Sequence, residues 1–247
     1  MKFADRYERQ IMIGGFGEEG QRRLANASVF LAGAGGLGSP AAIYLAAAGV
    51  GRLRIVDRDK VELSNLNRQI LHGEMDLGRK KAQSAKEKLN NLNHNVIIED
   101  IAEEINEKNA SELTDGCDLV VDALDNFQAR YLLNKTALKK NIPFFHGGVY
   151  GFEGRAMTVI PGKSACLRCL YRKGAEHMKF PVIGVAPAVI GSIQAAEVIK
   201  YLVGIGKLLT DRLLVYDGLS STFAEMKLKK NPDCEDCGLT NRIRANQ

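Results

Sequence analysis

The chain has 247 residues, of which 45% are hydrophobic and 26% charged. That length supports a self-sufficient core, and the balance excludes disorder, coiled coil and collagen. The net charge of +5 is too small for the concentrated basic stripe of a nucleic-acid binder, so nucleic acid is not an expected partner. It suits an anionic ligand or an acidic protein partner.

The N-terminal residues mix Asp5 and Glu8 with Arg6 and Arg9 and carry no apolar stretch, unlike a secretory signal. The longest uncharged run, 180–196, holds Pro181, Gly184, Pro187 and Gly191. It reads as a loop entering a buried helix rather than a membrane span. Four of the five cysteines form two Cys-x-x-Cys pairs, which is not a secreted disulfide framework. The expectation is a cytoplasmic protein with no membrane partner.

Residues 6–25 read as helical, broken by glycines near 14–15. Ser28–Ala32 is a short apolar run ending in glycines, hence a buried strand. A small-residue helix follows over 39–48, and a second strand over 52–56 ends at Asp57. A charged amphipathic helix is expected over 77–92 and a third strand over 95–99. A fourth strand, 119–122, leads to a helix over 126–140 and a fifth strand over 142–146. Strands alternating with helices define parallel βαβ units and a doubly wound sheet. Beyond residue 149 the pattern changes to antiparallel strands at 155–160, 212–216 and 223–228, with a helix over 187–203 between them. No linker divides the chain. One domain spanning 1–247 is expected, with a nucleotide-binding half (1–150) and a zinc-bearing half (151–247).

Gly33, Gly35, Gly36 and Gly38 follow the first strand and open a helix. Glycines there allow a tight turn and a close approach to phosphate, and the helix N-terminus favours an anion. Asp57 ends the second strand, where an acid accepts hydrogen bonds from ribose hydroxyls. This context favours a nucleotide over a bare structural turn, without separating NAD, FAD and ATP.

Asp59, Asn65, Arg68 and Gln69 crowd the segment that follows, and Lys81 starts the next helix. A hydride-transfer cofactor needs no such cluster, whereas a nucleoside triphosphate does, because Arg meets its phosphates bidentately. Lys80, Lys86 and Lys88 read as helix surface. Asp125 and Asn126 follow the fourth strand, where ligands of open α/β sheets sit. There they serve either magnesium or the cap of the next helix. Cys166, Cys169, Cys234 and Cys237 have the spacing of a closed, tetrahedral four-cysteine zinc site, structural because no position stays open. Cys117 reads as a small buried hydrophobe. His146 reads as a framework residue and His177 as exposed.

The chain resembles the MoeB/ThiF/HesA family, the activating enzymes for ubiquitin-like sulfur-carrier proteins. The resemblance runs through residues 7–11, the glycine loop, Asp57, 63–69, 78–81, Asp125-Asn126, Glu225-Met-Lys-Leu and both cysteine pairs. It implies a Rossmann-like, mainly parallel sheet extended by antiparallel strands, with ATP and magnesium as cofactors and structural zinc. It implies ribose held by Asp57, phosphates held by Asn65, Arg68 and Lys81, and magnesium and the reacting groups served by Asp125. Arg9 would reach across a homodimer to the partner's ATP. The implied reaction is adenylation of the C-terminal Gly-Gly carboxylate of a MoaD- or ThiS-type carrier, releasing pyrophosphate, within molybdopterin, thiamine or related biosynthesis. The second half would bind the carrier.

One departure stands out. Many relatives carry a cysteine between the first zinc pair and the following helix, but residues 171–182 contain none. The expectation is adenylation without a thioester on the enzyme. A rhodanese-like extension is not expected either, so a separate sulfur donor, such as a cysteine desulfurase or rhodanese, is implied. The rival readings are an ATP-dependent tRNA-modifying dehydratase, an NAD-dependent oxidoreductase, and a non-catalytic relative that has lost ATP chemistry. The cysteine pairs and modest charge argue against the first. The Asn65–Gln69 cluster argues against the second, and the filled site positions against the third.

Overall fold

The computed structural model describes residues 3–172 and 180–238. In chain order the elements are α1 (Phe3–Ile11), α2 (Gly17–Asn26), β1 (Ser28–Ala32), α3 (Gly38–Ala48), β2 (Arg52–Val56), α4 (Lys81–Leu92), β3 (Ile97–Ile101) and α5 (Ala110–Leu113). They continue with β4 (Leu119–Asp122), α6 (Phe127–Lys140), β5 (Phe144–Tyr150), β6 (Glu153–Val159), α7 (Leu167–Leu170), α8 (Val185–Val203), β7 (Arg212–Asp217) and β8 (Thr222–Lys227). Short 3-10 turns occupy Leu63–Asn65 and Glu74–Asp76.

All eight strands form one sheet in the order β3-β2-β1-β4-β5-β6-β7-β8. The first five are parallel, and β5 to β8 pair antiparallel. The mixed sheet is thus mostly parallel at one end and antiparallel at the other. β1 and β4 are buried along their whole length, which is why they read as continuous apolar runs. Strand order reverses between β1 and β4. In open α/β sheets the ligand crevice lies there, beyond the carboxyl ends of the strands.

One apolar layer packs α3 and α8 against the sheet, around Leu31, Leu45, Ile55, Ile190 and Val198. The opposite layer packs α6 and the cysteine-bearing turns around Phe30, Leu133, Phe144 and Val159. α8 has the length and mean hydropathy of a membrane span. Here Ile190, Ala195 and Val198 are buried in the protein interior, so the helix serves the core.

Several boundaries differ from the sequence expectation: β5 runs Phe144–Tyr150 rather than 142–146 and β6 Glu153–Val159 rather than 155–160, and three others have a visible cause. α4 begins at Lys81 rather than 77 because the preceding residues pair with 60–61: Gly78 N–H donates to Val61 O, and Val61 N–H to Arg79 O. β3 starts at Ile97 rather than 95, where it registers with Arg52. α8 starts at Val185 and takes Pro187 into its first turn, where a missing N–H costs no helical bond.

Candidate nucleotide site and cysteine cluster

The loop between β1 and α3 is shaped by its glycines. Gly33 has φ +96°, and a Cβ there would meet Ala123 O at 2.8 Å. A Cβ on Gly38 would fall 2.0 Å from Gly33 O, so Gly38 closes the turn on itself and lies outside the cleft lining. Gly33, Gly35 and Gly36 line the cleft. Between them, Ala34 is gripped on both sides. Its N–H donates to Asp57 Oδ2 at 2.8 Å, and its carbonyl lies 2.9 Å from His72 Nε2.

Asp57 also accepts the Asp59 N–H at 2.8 Å. Burial raises the Asp57 pKa, while Lys81 and the two N–H donors pull it down. Each carboxylate oxygen still has a lone pair for a hydroxyl.

Asp59, Asn65, Arg68, Gln69 and Lys81 line the same cleft. Asn65 is buried and accepts the Glu62 N–H at 3.1 Å. Arg68 Nη1 donates to Ser64 O at 2.8 Å and Asn67 Oδ1 at 2.9 Å. Gln69 is buried, and its Oε1 has no hydrogen-bond partner among the described residues. Lys81 is only 7% exposed and lies 3.1 Å from Asp59 Oδ2. It is the first residue of α4, whose first turn holds no acid. A cation beside a helix N-terminus is electrostatically unfavourable unless an anion is to be placed there. Lys80, Lys86 and Lys88 contact Arg58 O, Asp100 and Asp76 instead.

Of the two neighbours Asp125 and Asn126, the structure assigns the cap to one. Asn126 caps α6, its side chain accepting the Ala129 N–H at 2.8 Å. Asp125 stands exposed in the cleft lining. The cleft encloses about 1950 Å³, larger than a typical small-molecule pocket. Fully buried His146 meets Asp122 Oδ2 through Nδ1 at 2.7 Å, and its Nε2 has no partner among the described residues. Burial lowers its pKa. Asp122 also faces Arg130, which donates to Gly147 O at 3.0 Å. His146 is thus a framework residue; His177 lies outside the described residues.

Arg9 lies on α1, exposed and outside the cleft lining. Tyr7, two residues earlier, anchors that helix by burial and by accepting the Asn93 Nδ2–H at 2.8 Å.

The four paired cysteines converge. Sγ atoms of Cys166 and Cys169, Cys166 and Cys234, and Cys169 and Cys237 lie 3.9, 3.6 and 3.5 Å apart. A tetrahedron with Zn–S bonds of about 2.3 Å has edges of about 3.8 Å, so the set fits zinc. Hydrogen bonding with Cys237, together with burial, raises the Cys166 pKa; burial pushes the Cys234 thiol up to about 11. Asn134 of α6 is fully buried and fastens both turns. Its Oδ1 accepts the Leu167 N–H at 3.1 Å, and its Nδ2 donates to Asp236 at 2.8 Å. Cys117 is apart from this set, buried, and burial raises its pKa.

Sequence reasoning missed His72, Asn134, Asp122 and Arg130. A lone polar residue carries no periodic signal; only the fold brings these to the loop and the cysteines.

A doubly wound sheet with a glycine loop at the strand-order reversal, opening on a cleft lined by Arg68 and Lys81, defines a nucleotide-binding α/β protein. The chain belongs to the ThiF family, whose model matches residues 7–236. It is 45% identical to the SAMP-activating enzyme E1 of Haloferax volcanii, over 95% of this chain and 88% of that one. It is 44% identical to the sulfur carrier protein adenylyltransferase of Thermus thermophilus, over 95% of this chain and 90% of that one. These relatives make the chain an enzyme, an adenylyltransferase. Among solved structures it is similar to Escherichia coli MccB with ATP, at 25% identity and TM-score 0.86, over 95% of this chain and 74% of that one.

Proposed function

We propose that this enzyme uses ATP to adenylate the C-terminal Gly-Gly carboxylate of a ubiquitin-like sulfur-carrier protein. The observation that carries the reading is the cleft's pairing of a cradling glycine loop with buried Lys81, partly exposed Arg68 and exposed Asp125. The names of the relatives support the carrier as substrate.

In this reading ATP lies along Gly33, Gly35 and Gly36, with its ribose on Asp57. Asn65, Arg68, Gln69 and Lys81 hold the phosphates, and Asp125 would hold a magnesium ion, which would supply positive charge to offset that of the phosphates. A carrier carboxylate oxygen attacks the α-phosphorus, the acyl-phosphate bond forms, and the bond to the β-phosphate oxygen breaks with loss of pyrophosphate. The carboxylate is already anionic, so no general base is needed. Catalysis is in-line positioning with cations placed where charge accumulates.

Arg9 supplies a further cation to the partner's site in a homodimer; its exposure outside its own cleft supports a role in trans. The domain is one adenylation unit, nucleotide-binding over 1–150 and carrier-binding over 151–247. Exposed Phe152, Leu219, Phe223 and Met226 in that second half suit an apolar partner surface. The cysteines bind structural zinc and tie the chain near Cys234 and Cys237 to α6. The thiolate set fits a reducing, cytoplasmic setting. No thioester forms on the enzyme, because residues 171–182 lack cysteine and Cys117 is buried with a raised pKa. A separate donor adds sulfur, for molybdopterin, thiamine or a related product.

The test is ATP–pyrophosphate exchange with a panel of Gly-Gly carriers. Exchange stimulated by one carrier assigns the pathway; no exchange with any refutes the reading. A reducible enzyme–carrier adduct on a non-reducing gel would refute the absence of a thioester.

A further inference from the structure

Ala34 sits at the centre of the glycine loop, and both its polar groups are taken by side chains from other segments. Asp57, just past β2, accepts its N–H at 2.8 Å. His72, in the turn after the Asn65–Gln69 cluster, meets its carbonyl at 2.9 Å. The far side of the same imidazole meets Ser84 Oγ of α4 at 2.9 Å. Both His72 and Ser84 are buried.

We propose that His72, as its neutral Nε2–H tautomer, is a positioning residue that locks the glycine loop in its nucleotide-accepting shape. A carbonyl oxygen only accepts, so the nitrogen facing Ala34 O carries the hydrogen. In the neutral ring Nδ1 is then a lone pair facing the Ser84 hydroxyl, which Asp76 also faces. The tautomer is set by the Ala34 carbonyl. The consequence is mechanical. One imidazole joins the glycine loop, the turn carrying Arg68 and Gln69, and the helix that Lys81 begins. These are the three segments that must converge on one string of phosphates. Asp57 completes the set from β2 through the Ala34 N–H. Burial lowers the His72 pKa; the Ala34 carbonyl and Asp76 oppose that, and Lys81 and Lys88 add to it, so the net effect favours the neutral ring. The inference rests on the nucleotide reading of the cleft.

The test uses the full chain. Long-range 15N–1H NMR of the ring nitrogens at pH 7 is expected to show His72 protonated at Nε2 and bare at Nδ1. An Nδ1–H ring or an imidazolium overturns the proposal. By calorimetry, His72→Leu is expected to weaken binding of magnesium–ATP about tenfold, the equivalent of one hydrogen bond. His72→Gln, whose amide N–H still reaches toward the carbonyl, recovers most of that loss. A purely structural role would lower the melting temperature of both variants without separating their ATP affinities, and that result also overturns it. If His72→Leu does not fold, Ser84→Ala decides. Loss of the hydroxyl that ties Nδ1 to α4 is expected to cost about threefold in affinity, and unchanged affinity rejects the proposal. Absence of ATP binding by the unmodified chain would instead sink the nucleotide reading, while the NMR result would still judge the tautomer.

Discussion

Lys81 and Asp59 are joined twice: the Lys81 N–H donates to Asp59 O at 3.0 Å, and Lys81 Nζ lies 3.1 Å from Asp59 Oδ2. The main-chain bond fixes where α4 starts. The side-chain pair holds a nearly buried ammonium in place without a nucleotide. Asp59 is more than half exposed, so the pair is held weakly, and under the proposed function Lys81 would pass from Asp59 to a more strongly charged phosphate.

Lys81→Met is therefore expected to reduce ATP–pyrophosphate exchange by roughly 10- to 100-fold, the range for losing a charge-assisted hydrogen bond. Asp59→Asn leaves the ammonium in place and is expected to change exchange only a few-fold. Equal losses from the two would show that the pair itself, rather than Lys81 alone, is what the reaction needs.

Arg9 provides a sharper test of the assembly. Arg9→Ala and Lys81→Met each disable a site, but by different routes. If Arg9 acts in trans, a mixed dimer contains one site with both defects and one with neither. Mixing the two inactive variants after reversible dissociation is expected to restore about a quarter of normal exchange, since half the dimers are mixed and one site in each works. No recovery would place Arg9 in its own subunit's chemistry or outside it.

The centre of the sheet was legible because β1 and β4 are buried along their whole length and read as short apolar runs; β2 alternates arginine with apolar residues and was placed by the βαβ order. The glycine loop was legible because φ +96° at Gly33 and the contact at Gly38 leave no room for another residue. The start of α4 was not. An amphipathic pattern extends back to Leu77, but the N–H of Gly78 is spent on Val61 O, a pairing across a turn that periodicity does not record. The sequence left Asp125 and Asn126 interchangeable; only the hydrogen bond to Ala129 makes Asn126 the cap. His72 and Asn134 escaped because their partners, Ala34 O and Leu167 N, are backbone atoms far away in the chain.

The cysteine cluster makes a prediction about metal removal. Purified chain is expected to carry about one zinc per polypeptide, and Cys234→Ser to lose it. Thiols held protonated, as Cys166 and Cys234 are without metal, must release protons to bind it. The apparent zinc affinity should therefore fall as pH falls. Asn134→Ala is expected to speed loss of zinc to a chelator, because it frees both cysteine turns at once while keeping every ligand. Chelation kinetics identical to those of the unmodified chain would assign Asn134 to the core alone.

His72 and His146 set a pH dependence on stability. Burial lowers both pKa values, and the attraction of Asp122 for His146 does not overcome it. In the unfolded chain each titrates near about 6.5. Below that pH the unfolded state binds protons that the folded state refuses, so the stability present at pH 8 is lost as pH falls through about 6.5 and below. Each such group contributes a slope of up to about 1.4 kcal/mol per pH unit. Urea unfolding between pH 8 and pH 5.5 is expected to show declining stability. His72→Gln, which removes one of the two protons, should flatten the decline while lowering stability at pH 8. A profile unchanged by that substitution would mean that His72 charges freely inside the fold, which its contact with Ala34 O would then have to survive.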